Sequence, residues 1–470
     1  MDIAALFSMA AQKAALFRQG AADRRHRPER DYAGSVAAFS EDLPIHAMAP
    51  QKVIDDLALR AEPGLHAMTG PRFHGWVIGG SHPVGVAADM LTSAWGQNAG
   101  NHMAAPSAAA AELIAGRWIN ELLGLPATAS VGFVTGATMA NFTSLAAARR
   151  AVLQSVGWDA DRQGIFGAPP ITVIIGNDAH ATVFSALQFL GLGHDRVLRV
   201  PADAQGRMIV AEFQRIVQNV EGPAIVILQA GQINTGAFDD FAAIIPVAKE
   251  KGAWVHVDGA FGLWAQVLQS KRHLTTGVEL ADSWATDGHK WLQTPYDCGY
   301  AIVRDEPAHR QSMTIAASFL PAASEDERDP SHYVPELSRR ARGFATWAMI
   351  KHLGREGIAE MIERNCTAAR LIAERLGAEE GIEIVNDVCL NQVIVRFGAG
   401  LGGEEGDRLT RETIRLLQES AEAFAGGAEW RGRQVMRVSV INYQTGLPEA
   451  ERTAAAIISA FYRARGRNSD

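Results

Sequence analysis

Lys290 stands in the tract ATDGHKWLQTPYDCGY, residues 285–300, directly after a Gly-His step and before Trp291. A lysine becomes a nucleophile when its ammonium is partly desolvated or held beside other charge, whereas a lysine without such context is a solvated surface residue. The surrounding residues supply that context. Asp258, in AWVHVDGAFG, ends an apolar, β-branched run and precedes small residues that let a flat group approach. In VGFVTGATMANF, Thr135, Gly136, Ala137 and Thr138 join a strand-like run to an alanine-rich helical one. Free backbone N–H groups and the positive end of a helix favour a dianion there. His180, in NDAHATVF, and Asn234 with Thr235, in QAGQINTGAFDD, sit just past two further runs. Taken locally, the histidine also reads as a helix cap and the Asn-Thr pair as turn chemistry.

A nucleophilic lysine, a strand-end carboxylate and a phosphate cradle are together the protein groups that a pyridoxal 5′-phosphate site requires. The lysine forms a Schiff base, the carboxylate keeps the pyridine nitrogen protonated so that the ring accepts electrons, and the helix start takes the phosphate. An imidazole at His180 is placed to stack on a flat ring and to hydrogen-bond a carboxylate.

The bulk properties allow this and exclude other classes. With 470 residues, 47% hydrophobic and 20% charged, the chain is long enough for two or three globular domains. Its net charge of −8 gives no basic field for nucleic acid or an anionic membrane, and no apolar run reaches bilayer-spanning length, so the expected partner is a small molecule. The three cysteines, Cys298, Cys366 and Cys389, are too few and too scattered for a disulfide framework or a metal site, which points to a reducing cytoplasm and no metal. At the N-terminus the arginines follow the apolar stretch, the wrong order for a secretory signal.

The elements that must position these residues alternate along the chain. Ile3, Leu6, Phe7 and Ala10 predict an N-terminal helix, followed by a basic arm, in a segment spanning 1–85. Between 86 and 345, helical stretches alternate with SVGFVTG, ITVIIGN, AIVILQAG, AWVHVDGA and CGYAIVRD, the pattern of an α/β domain with a mostly parallel sheet. Ligands of such sheets collect at the carboxyl ends of the strands. From 346 to 470, a long helical stretch and the runs GIEIVND, NQVIVRFG and MRVSVIN predict a smaller α+β domain. Residues 316–337, polar and proline-containing, read as a long surface loop.

In order, NDAHATVFSA, QAGQINTGAFDD, HVDGAFGLWA, DGHKWL, SRRARGF and MRVSVINYQT resemble the pyridoxal-phosphate-dependent group II decarboxylases over residues 68–450. That family includes the aromatic-L-amino-acid, tyrosine, glutamate and diaminobutyrate decarboxylases. The resemblance implies an aspartate-aminotransferase-like fold (fold type I) with a seven-stranded type of sheet, and homodimers with active sites at the interface. It implies the conversion of an L-amino acid to its amine and CO₂. By the same resemblance, Lys290 holds the cofactor, Asp258 pairs with its ring nitrogen, Ala260 lies against the ring and His180 stacks on the other face. Ala137 and Thr138 bind phosphate, with Asn234, His289 and Asp287 nearby, and Arg437 lies toward the substrate.

Three features depart from the family pattern. Asp287 replaces the asparagine usual in animal members. Asn98 and Gly100 replace apolar and aromatic pocket residues, which together with Trp76 leaves both polar and aromatic substrates open. Tyr333 is offset from the tyrosine that reprotonates the substrate carbon, so that step is assigned to Tyr333, to His289 or to a held water. Simple decarboxylation stands beside oxidative decarboxylation to an aldehyde. An aminotransferase or lyase on the same fold is the alternative reaction class, and a non-catalytic cofactor-binding homologue the alternative without turnover.

Overall fold

The computed structural model describes residues 1–314 and 327–466; of the loop expected over 316–337, residues 316–326 lie outside the described residues. The chain divides into two compact units, one of Ser81–Cys366 with Asn386–Gln392, the other of Met1–Gly80 with Thr367–Val385 and Val393–Asp470.

The larger unit is built on a seven-stranded sheet. Its strands are β1 (Ser130–Val134), β2 (Thr172–Gly176), β3 (Leu198–Val200), β4 (Ala224–Gln229), β5 (Trp254–Asp258), β6 (Ser283–Asp287) and β7 (Gly299–Val303), in the spatial order β1-β7-β6-β5-β4-β2-β3. Only β7 runs against its neighbours. Every residue of β1, β4, β5, β6 and β7 is buried, as expected for strands covered on both faces. The helix Ala137–Gln154 packs Leu145, Ala146, Ala147, Ala148 and Val152 into one cluster with Ile175, Ile225 and Ile227. Its small side chains let the helix backbone approach the sheet closely.

A buried polar chain fixes that helix to the two strands that matter most. His256 Nε2 lies 2.9 Å from Asn141 Oδ1 and His256 Nδ1 2.9 Å from Ser283 Oγ, which also accepts from Trp254 Nε1 at 2.9 Å. Burial lowers the pKa of His256 to about 3, so the neutral ring donates on one side and accepts on the other. The start of the helix is thereby tied to β5 and β6.

Arg339, inside the SRRARGF tract, is a second strut. Its guanidinium pairs with Glu112 at 2.7 Å and donates to the carbonyls of Ala99 (2.9 Å) and Phe133 (2.7 Å), both side chains being 1% exposed. Burial pushes the Glu112 carboxyl up while Arg339 pulls it down. Replacing Arg339 by methionine strands that carboxylate, so urea denaturation is expected to show a loss of about 3–5 kcal/mol. A loss under 1 kcal/mol would show that Glu112 does not depend on its partner.

In the smaller unit a second sheet has the order β10-β11-β9-β8, with β8 (Ile382–Ile384), β9 (Gln392–Phe397), β10 (Gly426–Trp430) and β11 (Arg433–Ser439). Phe73 stacks on Phe424 with centroids 4.6 Å apart, and Trp76 packs against both. The predicted N-terminal helix is present as Ile3–Gln19, followed by Tyr32–Phe39 and Pro50–Ala61, and none of the three contains a buried residue. Among the described residues no helix is long and apolar enough to cross a membrane.

Candidate active site

The strand ends converge on one edge of the larger sheet. Asp258 closes β5 and Asp287 closes β6, while Val134, the last residue of β1, and Asp287 both pair with Gly299 at the start of β7. The turn leading into the helix Ala137–Gln154 therefore lies beside Asp287. Gly299 permits this closeness, since a Cβ there would lie 2.5 Å from the Cα of Gly136. Asn234 and His180 follow the ends of β4 and β2.

Asp258 is 5% exposed and its Oδ1 accepts the Ala260 N–H at 3.2 Å. Burial raises its pKa, and the nearby positive charge of His180 and Lys290 pulls it back down. A buried carboxylate with one hydrogen bond has acceptor capacity left for a cationic N–H. Ala260 also accepts, through its carbonyl, from the Asp287 N–H at 3.0 Å, which ties the two strand ends together.

Lys290 Nζ lies 2.9 Å from Asp287 Oδ2 and 5.9 Å from the centre of the Phe261 ring. Asp287 Oδ1 accepts the Ala137 N–H at 2.6 Å, and His289 Nε2 is 3.5 Å from the same oxygen. His289 Nδ1 accepts from the Cys298 N–H at 3.2 Å, so the ring proton sits on Nε2 and faces the cradle. Burial, ahead of the opposing pull of Asp287, lowers the His289 pKa and favours this neutral form. Gly136 places no side-chain oxygen on the first turn of its helix, which leaves backbone donors to an anion.

His180 caps the helix Ala181–Phe189, its Nδ1 2.8 Å from Thr182 Oγ1. Asn234 is held by its backbone N–H on Gln232 Oε1 at 2.6 Å. Lys290, Asp258, Ala260, Ala137, Thr138, His289 and Asp287 are thus gathered at one sheet edge, with His180 within electrostatic reach of Asp258.

Tyr333 is not brought to this group. It is 4% exposed and donates its hydroxyl to Glu306, with Arg328 3.6 Å above its ring. Glu306 follows Val303, which pairs with Ser283 and Ser130, the first residues of β6 and β1. The hydroxyl therefore belongs to the opposite edge of the sheet, a five-residue strand or about 13 Å away. Burial, with Glu306 adding to it, raises the Tyr333 pKa to about 12. Asn98 uses its Oδ1 to accept the Arg339 N–H at 3.0 Å. Trp76 and Arg437 belong to the smaller unit, where Arg437 lies in β11 and burial lowers its pKa.

Local sequence signals missed two participants. Tyr296 stacks on His289 with centroids 4.3 Å apart, and Trp264 Nε1 donates to the Asp287 carbonyl at 3.2 Å. Both lie in the tracts that carry Lys290 and Asp258, and nearness in sequence to those residues is the signal that points to them.

Residues 34–397 match the family described as pyridoxal-dependent decarboxylase conserved domain. The chain belongs to the pyridoxal-dependent decarboxylase family. It is 26% identical over 420 residues to the aromatic-L-amino-acid decarboxylase of Bacillus atrophaeus, covering 87% of this chain and 85% of that one. It is 29% identical over 375 residues to the L-2,4-diaminobutyrate decarboxylase of Rhizobium meliloti, covering 76% and 71%. The crystal structure of Oryza sativa TDC with PLP and tryptamine superposes with a TM-score of 0.91 at 22% identity, covering 98% of each chain. The protein is accordingly a pyridoxal-phosphate-dependent amino acid decarboxylase, a carboxy-lyase with the fold of that family.

Proposed function

We propose that this decarboxylase converts an L-amino acid to the corresponding amine and CO₂ at the edge formed by Asp258, Asp287, Lys290 and the start of the helix Ala137–Gln154. The observation that supports it is the meeting of a buried, under-coordinated Asp258 with Lys290 and a helix start whose N-cap, Gly136, has no side chain to cap it. These residues suit a group with a protonated ring nitrogen, a carbonyl carbon and a phosphate. Lys290 would hold that group, Asp258 would face its ring nitrogen, and Ala137, Thr138 and His289 would donate to its phosphate. When bound, pyridoxal phosphate supplies an electron sink for the pair left as CO₂ departs. His180 orients the substrate carboxylate from beside Asp258.

The proton for the substrate carbon comes from a held water in this reading, because the Tyr333 hydroxyl is buried on Glu306 and the one N–H of His289 faces the phosphate cradle. Tyr333→Phe is expected to keep kcat within about twofold of wild type, since no effect larger than a lost hydrogen bond reaches the site. A hundredfold fall in kcat, with unchanged KM, would restore Tyr333 as the donor.

The working form is a homodimer in the cytoplasm. Phe7, Leu16, Phe39, Leu43, Ile45 and Leu59 are all exposed in the N-terminal segment, large apolar side chains of the kind that subunit interfaces cover. A second copy of the chain is the occupant that this reading assigns. Cys298, Cys366 and Cys389 all carry thiols, the form that a reducing compartment keeps. Relatives named for aromatic, diamino and cysteine sulfinic acid substrates set the panel for the test. CO₂ release with a matching amine from one member identifies the substrate class. Transfer of the amino group to a keto acid without CO₂ would overturn the reading.

A further inference from the structure

Asp287 puts a negative charge at the bottom of an anion site. Its side chain is 3% exposed, and its two oxygens are fully engaged: Oδ1 with the Ala137 N–H and, at 3.5 Å, His289 Nε2; Oδ2 with Lys290 Nζ. Asp258 on β5, Tyr300 on β7 and Tyr296 just before it also feel this carboxylate, and none of them is a cation. Among the described residues the cation facing Asp287 is Lys290, because burial favours neutral His289. In this arrangement the carboxylate already occupies the first free donor of the helix, the kind of seat that a phosphate oxygen takes.

Loading the cofactor changes both supports of that charge. Lys290 becomes covalently committed to the cofactor, and a phosphate dianion arrives at the N–H groups that Asp287 now uses. Two anions sharing one donor set do not both remain ionised. We propose that cofactor loading brings one proton from solvent onto the Asp287 carboxyl, which then donates its O–H to a phosphate oxygen in place of competing for the Ala137 N–H. The inference rests on the cofactor site proposed above. Asp287 is thus a positioning residue that makes loading favoured at lower pH. Because a proton is taken up, affinity falls as pH rises, by up to about tenfold per pH unit.

The test is calorimetric titration of the cofactor-free protein at pH 8, in two buffers of different ionisation enthalpy, with pyridoxal 5′-phosphate and with pyridoxal. At that pH a phosphate monoester, with a second pKa of about 6, is already a dianion. Protonation of the ring nitrogen is common to both ligands, so their difference isolates the phosphate. Wild type is expected to take up about one proton more with the phosphorylated ligand. Asp287→Asn, which keeps the shape and removes the charge, should show no difference and bind the phosphorylated ligand about 10–100-fold more tightly at pH 9. Equal proton uptake for the two ligands in wild type overturns the inference without any variant. Absence of binding by both ligands would instead overturn the cofactor site itself, and this inference with it.

Discussion

Replacing Lys290 by alanine is expected to lower decarboxylation by on the order of 10⁴-fold or more, a barrier increase of about 5–6 kcal/mol. The same change should abolish the absorbance of lysine-bound cofactor. Lys290 Nζ is held 2.9 Å from Asp287 in a 15%-exposed position at the carboxyl edge of the sheet, 5.9 Å from the centre of the Phe261 ring. An ordinary surface lysine has neither the burial nor the carboxylate. The variant should fold, because Asp287 keeps its bond from the Ala137 N–H, but with reduced stability, because that buried carboxylate loses its cation. Urea denaturation of the cofactor-free variant checks that point, and partial restoration of turnover by a small primary amine separates lost chemistry from lost structure. Turnover within tenfold of wild type would remove Lys290 from the reaction.

The parts of the site that were legible in the sequence lie where a strand stops. Asp258 follows AWVHV, and β-branched runs of that kind also mark β1, β2, β4 and β7. By contrast, β6 reads Ser-Trp-Ala-Thr-Asp, a poor strand signature. It is nevertheless fully buried, because Ser283 and Trp284 place their polar atoms on His256 and the Val278 carbonyl. Internal hydrogen bonding there replaces the apolar pattern that a sequence reader relies on. β3 and β10 escape for other reasons: the first has three residues of which two are exposed, and the second begins with two glycines.

Residues acting from a distance in sequence were harder. Asn98, a pocket candidate by its position, holds the Arg339 backbone 241 residues away, and Tyr333 finds Glu306 rather than the strand ends. Spacing along the chain carries no information about which edge of a sheet a loop aromatic will reach. His256 and Asn141 show the converse. Buried within a strand and a helix, they read as packing, yet they join the cradle helix to the strand that ends in Asp258.

Asp258→Asn should separate catalysis from stability in opposite directions. A unit-charge pair at about 4 Å, in surroundings of effective dielectric near 20, is worth about 4 kcal/mol. Losing it in the transition state lowers kcat by about 10³-fold. The effect falls on kcat rather than KM, since the charge matters most when the ring carries the electron pair. In the cofactor-free protein the same carboxylate is buried with one backbone hydrogen bond, and burial raises its pKa despite His180 and Lys290. A neutral amide of the same shape removes that desolvation cost, so the cofactor-free variant is expected to unfold at the same urea concentration as wild type or a higher one. A large fall in stability together with unchanged kcat would make Asp258 a structural cap. The predicted pattern, slower turnover without lost stability, is what a carboxylate kept for its charge alone produces.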